Sequence, residues 1–320
     1  MRDSFDKKLN KRRSLATSSG QLDWSRCYFL IQSLAGAMWW IGVFTVPGIR
    51  NATLGQLPAE LIAWFDIPLF VLGSLLLALG WRQGSWVVLP WITLVTAAMF
   101  IYSLITATAG LGALIMIASW VCSLLAATQM FMGRIPSELL LRGPFVFRTA
   151  PQRKNQSHVW RTVNQLLCFW ALFLCVIPAI ILVVERRLNV MLQFPVELRV
   201  FGVLALISAS TLGIWSAVTM STRGQGTPLP SSMPRRLVIS GPYRFVRNPM
   251  AVAGITQGVA VGLISSSWLV VVYALAGSLL WNWLIRPEEE ANLEENFAEE
   301  FRNYKHNVSC WVPTIRIRRD

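Results

Sequence analysis

Residues 110–132 read GLGALIMIASWVCSLLAATQMFM, a run without a single charged side chain. As a helix it would rise about 34 Å, enough to cross the roughly 30 Å hydrocarbon core of a bilayer. Working outward, seven more runs of the same character appear: Cys27–Val46, Leu61–Trp81, Trp86–Ala107, Val163–Val184, Val200–Met220, Met250–Ser265 and Ser267–Ile285. The whole chain agrees with this reading. Of its 320 residues 54% are apolar and only 14% charged, and the mean hydropathy is +0.49. That balance excludes a soluble protein with one continuous water-facing surface. The 15 Trp and 16 Phe exclude a solvated coil. The predicted fold is therefore all-α, a polytopic integral membrane protein with about eight transmembrane helices.

The last two runs share residues 250–285, so each is shorter than the roughly 20 residues of a full crossing. A tight helical hairpin turning at Ser265-Ser266-Ser267 is the natural reading. With the amino terminus in the cytoplasm, 25 of the 29 Lys and Arg fall on the inside, and only Arg50, Arg186, Arg187 and Arg199 outside. The positive-inside rule asks for this asymmetry, which predicts both termini on the cytoplasmic side. The basic cluster KKLNKRR (7–13) has no short apolar core and small-residue cleavage site directly after it, so it reads as topology control and attraction to anionic headgroups, not a removable signal peptide. Nothing in it interleaves aromatic residues as a nucleic-acid face would. In domain terms, 1–26 is a basic tail, 27–133 a four-helix membrane region, 134–162 a basic cytoplasmic loop, and 163–320 a second membrane domain.

Several chemistries lack their residues. There is no GxGxxG after a strand and no phosphate-cradling GxxxxGK[ST]. There is no GxSxG elbow either. His158 and His306 are the only histidines and lie far apart, so an imidazole metal site is not expected. Cys27, Cys122, Cys168, Cys175 and Cys310 are scattered, without a CxxC pair, and read as small hydrophobes. What chemistry remains must use arginines, carboxylates, backbone groups and a bound cofactor.

Two segments break the lipid-soluble background. The first, Arg235–Gly254, reads RRLVISGPYRFVRNPMAVAG. Gly241-Pro242 marks a turn, Arg244 and Arg247 follow, and Pro249 sits where a helix can start without its N–H. Free N–H groups at that start suit an anionic group; the plain alternative is an ordinary basic juxtamembrane loop. The second, Arg286–Pro313, reads RPEEEANLEENFAEEFRNYKHNVSCWVP and places 7 of the chain's 16 acids within Glu288–Glu300. Leu293, Phe297, Phe301, Tyr304 and Val308 recur at helical spacing, predicting a C-terminal amphipathic helix. Most of its acids then form a solvated face pairing loosely with Arg302 and Lys305. Glu288, Glu289 and Glu290 differ, because they follow directly on an apolar span, where desolvated carboxylates need a cationic or hydroxyl-bearing partner. Asp66, in AWFDIPLF, is either a functional intramembrane acid or one held by a structural hydrogen bond.

Together the two segments resemble the isoprenylcysteine carboxyl methyltransferase family and its phospholipid methyltransferase relatives. The family pattern, roughly LVxxGPYxxxRHPxYxG, a hairpin, then EExxLxxxFGxxYxxY and a terminal proline, is met by Leu237, Val238, Gly241, Pro242, Tyr243, Arg247 and Pro249. After the hairpin it is met by Glu289, Glu290, Leu293, Phe297, Tyr304 and Pro313. The preceding GQGTPLP (224–230) looks like bacterial members, and the core motifs cover 221–313. The departures are Asn248 for the family His, Ala251 for its Tyr, Gly254 for a displaced Gly, Ala298 for the Gly after Phe297, and Phe301 for the next Tyr. A fainter echo, GPFVFRTAP (143–151), has no acid run after it and reads as coincidence.

The resemblance implies an S-adenosylmethionine-dependent methyltransferase. It places Arg236, Leu237, Val238, Tyr243, Arg247, Asn248, Pro249, Met250, Ala251, Glu289 and Glu290 around the cofactor. It makes Glu289 and Arg286 catalytic, Glu289 on the polar end of the cofactor and Arg286 on the substrate. It implies a lipophilic acceptor entering from the bilayer, an isoprenoid or prenylcysteine-type carboxylate first, with a phospholipid amine or a thiol as alternatives. The expected location is a bacterial inner membrane, or the endoplasmic reticulum in a eukaryote, with the site facing the cytoplasm and membrane lipids as its surroundings. A transporter or other non-enzymatic membrane protein is the competing class. It predicts inverted repeats and charges near the midplane, whereas the charges here collect at the cytoplasmic rim.

Overall fold

Uncharged runs of this length satisfy their backbone only as helices inside lipid, and the computed structural model, which describes residues 24–133, 155–224 and 236–313, is helical without strands among them. The basic cluster 7–13, the 143–151 echo and most of GQGTPLP lie outside the described residues. Among the described residues seven helices are long and apolar enough to cross a membrane: α1 (Trp24–Thr45), α3 (Ala59–Ala78), α4 (Arg82–Thr106), α5 (Gly110–Met132), α6 (Thr162–Arg187), α7 (Val196–Arg223) and a 40-residue run, Trp268–Asn307. A short α2 (Pro47–Thr53) follows α1. The expected eighth span is α8 (Pro249–Ile264), only 16 residues long. Its partner in the expected hairpin is not short. It comprises α9 (Trp268–Leu280), a π-helical turn (Trp281–Ile285) and α10 (Arg286–Asn307), joined end to end.

The chain forms two compact units, residues 1–136 and 137–320. In the first, Phe29, Trp40, Leu77, Val88 and Ile92 form the apolar core, and Gln32 and Asp66 within it find polar partners. Gln32 donates to Ser74 Oγ at 2.9 Å and accepts from Ser123 Oγ at 2.8 Å and from the Tyr28 hydroxyl. Asp66 is 6% exposed and accepts from both Trp40 Nε1 (2.8 Å) and Trp91 Nε1 (2.9 Å). Of its two readings, the structural hydrogen bond is the one found.

In the second unit, α7, α8 and α9 pack through small residues. A Cβ on Gly202 would meet Ala260 O at 3.1 Å, and one on Gly262 would meet Val271 N at 2.8 Å. The α8–α9 turn falls at the expected serines, with Ser266 at φ 53 and Ser267 capping α9 by accepting from Val270 N. Glu185, fully buried at the end of α6, accepts from Ser267 Oγ and anchors this turn. The sequence reading passed over this acid because Arg186 and Arg187 beside it look like a solvated rim.

Three π-helical stretches occur among the described residues, and each touches a proline. Ile67–Leu72 contains Pro68, while Trp170–Val176 and Trp281–Ile285 lie just upstream of Pro178 and Pro287. Proline removes one ladder hydrogen bond and crowds the carbonyl four residues back, and a widened turn absorbs the misfit. The stretch before Pro287 therefore re-aims α10 relative to α9.

Candidate active site

The loop that enters α8 is shaped by a glycine. Gly241 has φ +60, and a Cβ there would stand 2.9 Å from Thr219 Oγ1 of α7. No other residue fits the left-handed backbone and the close approach together. A single 3-10 turn, Gly241–Arg244, follows, and Phe245 N returns to Pro242 O at 3.0 Å. The chain then extends so that Asn248 becomes the N-cap of α8, its side chain accepting from Ala251 N at 3.1 Å, with Pro249 in the first turn. A cap of this kind is worth about 1 kcal/mol. It also fixes the amide's other end toward α10.

That other end meets the acid run. Asn248 Nδ2 donates to Glu289 Oε2 at 3.3 Å, and Arg247 Nη1 pairs with Glu290 Oε1 at 3.0 Å. The two segments that resembled one family, some forty residues apart, are thus adjacent. The second oxygen of Glu290 is taken by Lys305 Nζ at 2.7 Å. Glu290 is accordingly held between two cations, and Glu289 faces a neutral amide. Glu289 lies beyond Ile285, where the apolar part of the helix ends. Burial first, and then the charge of Glu290, push its carboxyl up to about 7, against the lowering effect of the Asn248 bond. Tyr243, buried beneath the loop at 5% exposure, has its hydroxyl pushed up by burial and by Glu289. Arg286 lies one turn before Glu289 and Glu290 on α10, and its Nε is buried with no hydrogen-bond partner.

The remaining expected site residues differ in exposure. Val238 and Pro249 are buried, Leu237, Met250 and Ala251 are half-buried, and Arg236 and Glu288 are exposed. Arg244 lies with its guanidinium 4.6 Å over the Phe245 ring. A groove of about 680 Å³ runs alongside, between Ile239, Arg244 and Phe245 on the loop and Glu300, Asn303 and Tyr304 on α10. It shares Tyr304 with the site but reaches neither Glu289 nor Glu290.

The amphipathic helix needs one correction. The assigned helix Arg286–Asn307 is broken at Ala298 (φ 40, ψ −111), and Val308 is extended. Leu293 and Phe297 therefore do not share one straight face with Phe301, Tyr304 and Val308. Beyond the break, Phe301 is 2% exposed, Tyr304 OH donates to Tyr243 O at 2.5 Å, Ser309 O accepts from Arg247 N at 3.0 Å, and Trp311 Nε1 donates to Asn282 Oδ1 at 3.1 Å. Lys305, Ser309 and Trp311 were not expected at the site. The periodicity read as uninterrupted helix, and only the family glycine standing at Ala298 marked a place where the chain could turn. Lys305 had been read as a loose partner of the surface acids, yet it contacts the half-buried Glu290. Arg302 does pair loosely, with exposed Glu294 at 3.5 Å and Glu299 at 3.7 Å.

The nickel-cobalt-cadmium resistance protein NccN of Alcaligenes xylosoxydans xylosoxydans is 29% identical over 119 residues, 37% of this chain and 51% of that protein. The chain thus spans about half the length of that curated relative. Residues 198–300, from the start of α7 through the paired loop and acids to just past Ala298, match the phospholipid methyltransferase family.

Proposed function

We propose that this membrane protein transfers a methyl group from S-adenosylmethionine to a lipophilic acceptor at the cytoplasmic face of the bilayer. The observation that carries the reading is the Asn248–Glu289 contact at 3.3 Å, made by an asparagine that also caps α8. The residues fit the group. Glu289 is a half-buried carboxylate whose one hydrogen-bonding neighbour is uncharged, a setting that favours a cation. S-adenosylmethionine, when bound, supplies a methyl already activated on a positive sulfonium.

Glu289 would hold the cationic end of the cofactor, Asn248 would orient Glu289, and Val238, Tyr243, Pro249, Met250 and Ala251 would form the less polar wall. Arg236 and Leu237 stand at its exposed edge. Arg247 and Glu290 engage each other, so their part is to brace this wall. Arg286, with its unpartnered buried Nε, suits an anionic group on the acceptor, since guanidinium pairs well with carboxylate or phosphate. No side chain need act as a strong base. Orientation and exclusion of water supply the rate, and in favourable cases are worth several kcal/mol. The acceptor is a lipid-like molecule with an anionic group, an isoprenoid carboxylate by the motif resemblance or a phospholipid by the family match. A metal-handling role, suggested by the relative's name, finds no group of three or more His, Cys, Asp or Glu placed to hold an ion among the described residues.

Isothermal titration of the detergent-solubilised protein with S-adenosylhomocysteine tests this. Binding is expected, and Asn248→Ala should weaken it roughly tenfold, the worth of a hydrogen bond to a charged group. No binding to the wild-type protein would end the proposal. Radiolabelled donor with total membrane lipid would then identify the acceptor.

A further inference from the structure

Lys305 and Glu290 belong to one assigned helix, yet their charged atoms stand 2.7 Å apart. In a straight α-helix their fifteen-residue separation would place them about 22 Å apart along the axis, beyond the reach of both side chains. Arg302 and Glu294, at 3.5 Å, repeat the point over eight residues, about 12 Å of straight helix. The break at Ala298 thus folds the chain back, and residues 299–313 lie against the site as a clasp. Four ties hold it: Lys305 to Glu290, Tyr304 to Tyr243 O, Ser309 O to Arg247 N, and Trp311 to Asn282. The family match ends at residue 300, and of the tying residues of the clasp Tyr304 alone is a position of the motif pattern.

We infer that Lys305 is a positioning residue. By gripping the oxygen of Glu290 that Arg247 leaves free, it locks the clasp shut and fixes the Arg247–Glu290 pair beside Glu289. The inference rests on the methyl-transfer reading for what Glu289 binds, but the clasp itself does not. Without Lys305, Glu290 keeps one cation instead of two, its uncompensated charge bears on Glu289, and the segment carrying Tyr304 and Ser309 loses its ionic tie.

Cys310, buried at 8% exposure within the clasp, gives a reporter that needs no cofactor. The experiment uses the full-length protein in detergent, with Cys27, Cys122, Cys168 and Cys175 changed to alanine, and compares wild type, Lys305→Met and Lys305→Arg. Two quantities are read: S-adenosylhomocysteine affinity, and the rate of maleimide labelling of Cys310 without ligand. Lys305→Met should weaken affinity about tenfold and speed labelling several-fold, while Lys305→Arg restores affinity to within about threefold, as expected of a charge-assisted contact. A merely structural lysine would lower the melting temperature without moving affinity. Should Lys305→Met fail to fold, Glu290→Gln, which keeps the volume and removes the shared charge, carries the same two readouts. Unchanged affinity together with unchanged labelling would overturn the inference. Wild-type protein that binds no S-adenosylhomocysteine would instead remove the methyl-transfer reading, and the labelling rates alone would then decide whether Lys305 holds the clasp.

Discussion

Asp66 in the first unit and Glu289 in the second are carboxylates in an otherwise apolar protein, and they are treated in opposite ways. Each oxygen of Asp66 accepts one indole N–H, from Trp40 and from Trp91. Those contacts tie Asp66 on α3 to α1 and α4. Glu289 has one amide donor, at 3.3 Å, and a like-charged neighbour in Glu290. Asp66 lies within an apolar span, whereas Glu289 follows one and leads into an acid-rich helix. Their donors differ too: both oxygens of Asp66 accept an N–H, whereas one hydrogen bond reaches Glu289.

The contrast is breakable by experiment. The largest effect is expected for Glu289→Ala, which should reduce S-adenosylhomocysteine affinity by about 10- to 100-fold, the loss of a charge-assisted contact, with little fall in thermal stability. Asp66→Leu should do the reverse. It leaves two indole N–H groups unpaired at a destabilisation of about 2–4 kcal/mol and keeps the affinity of the folded fraction within twofold. If Asp66→Leu abolishes binding in protein that still melts cooperatively, the distinction fails.

A smaller effect concerns pH. The Glu289 carboxyl is raised from 4.5 to about 7 in the folded, ligand-free protein, so the folded state holds a proton that the unfolded state has released between those values. The associated stabilisation is complete below the lower value and lost as pH rises through the upper one. The melting temperature of ligand-free wild type should therefore fall between pH 5 and pH 8, and that of Glu289→Gln should fall less. Equal slopes would mean that Glu289 is not desolvated. The smallest effect is expected at Ala298. An alanine at φ 40 and ψ −111 holds strain of about 1–3 kcal/mol, whereas glycine adopts that backbone freely at some entropic cost. Ala298→Gly should raise stability by about 1 kcal/mol, measured by thermal melting, and leave binding unchanged.

Much of this architecture was readable from the residues alone. The long uncharged runs marked the crossings, three consecutive serines marked the hairpin, and Pro249 marked the start of α8. The pairing of Arg235–Gly254 with the acid run was readable only because two motifs occurred in a fixed order. The clasp was not readable, because apolar spacing reports which face is buried and says nothing of a fold-back that preserves burial on both sides of it. Phe301 is buried whether the helix is straight or broken. Glu185 escaped for another reason: a charge beside two arginines at the end of a span looks solvated, and only packing shows that it caps the neighbouring helix turn.

One dimension of the second unit reaches past the protein. At 16 residues, α8 rises about 24 Å, some 6 Å less than the hydrocarbon layer around it. A bilayer meets such a deficit by thinning where it touches the short segment. On the methyl-transfer proposal, such thinning would let an amphiphilic acceptor present its polar end near Asn248 and Glu289 while its tail stays in oil. On that proposal the work of lifting the acceptor toward water would be reduced by the length of a helix that stops early.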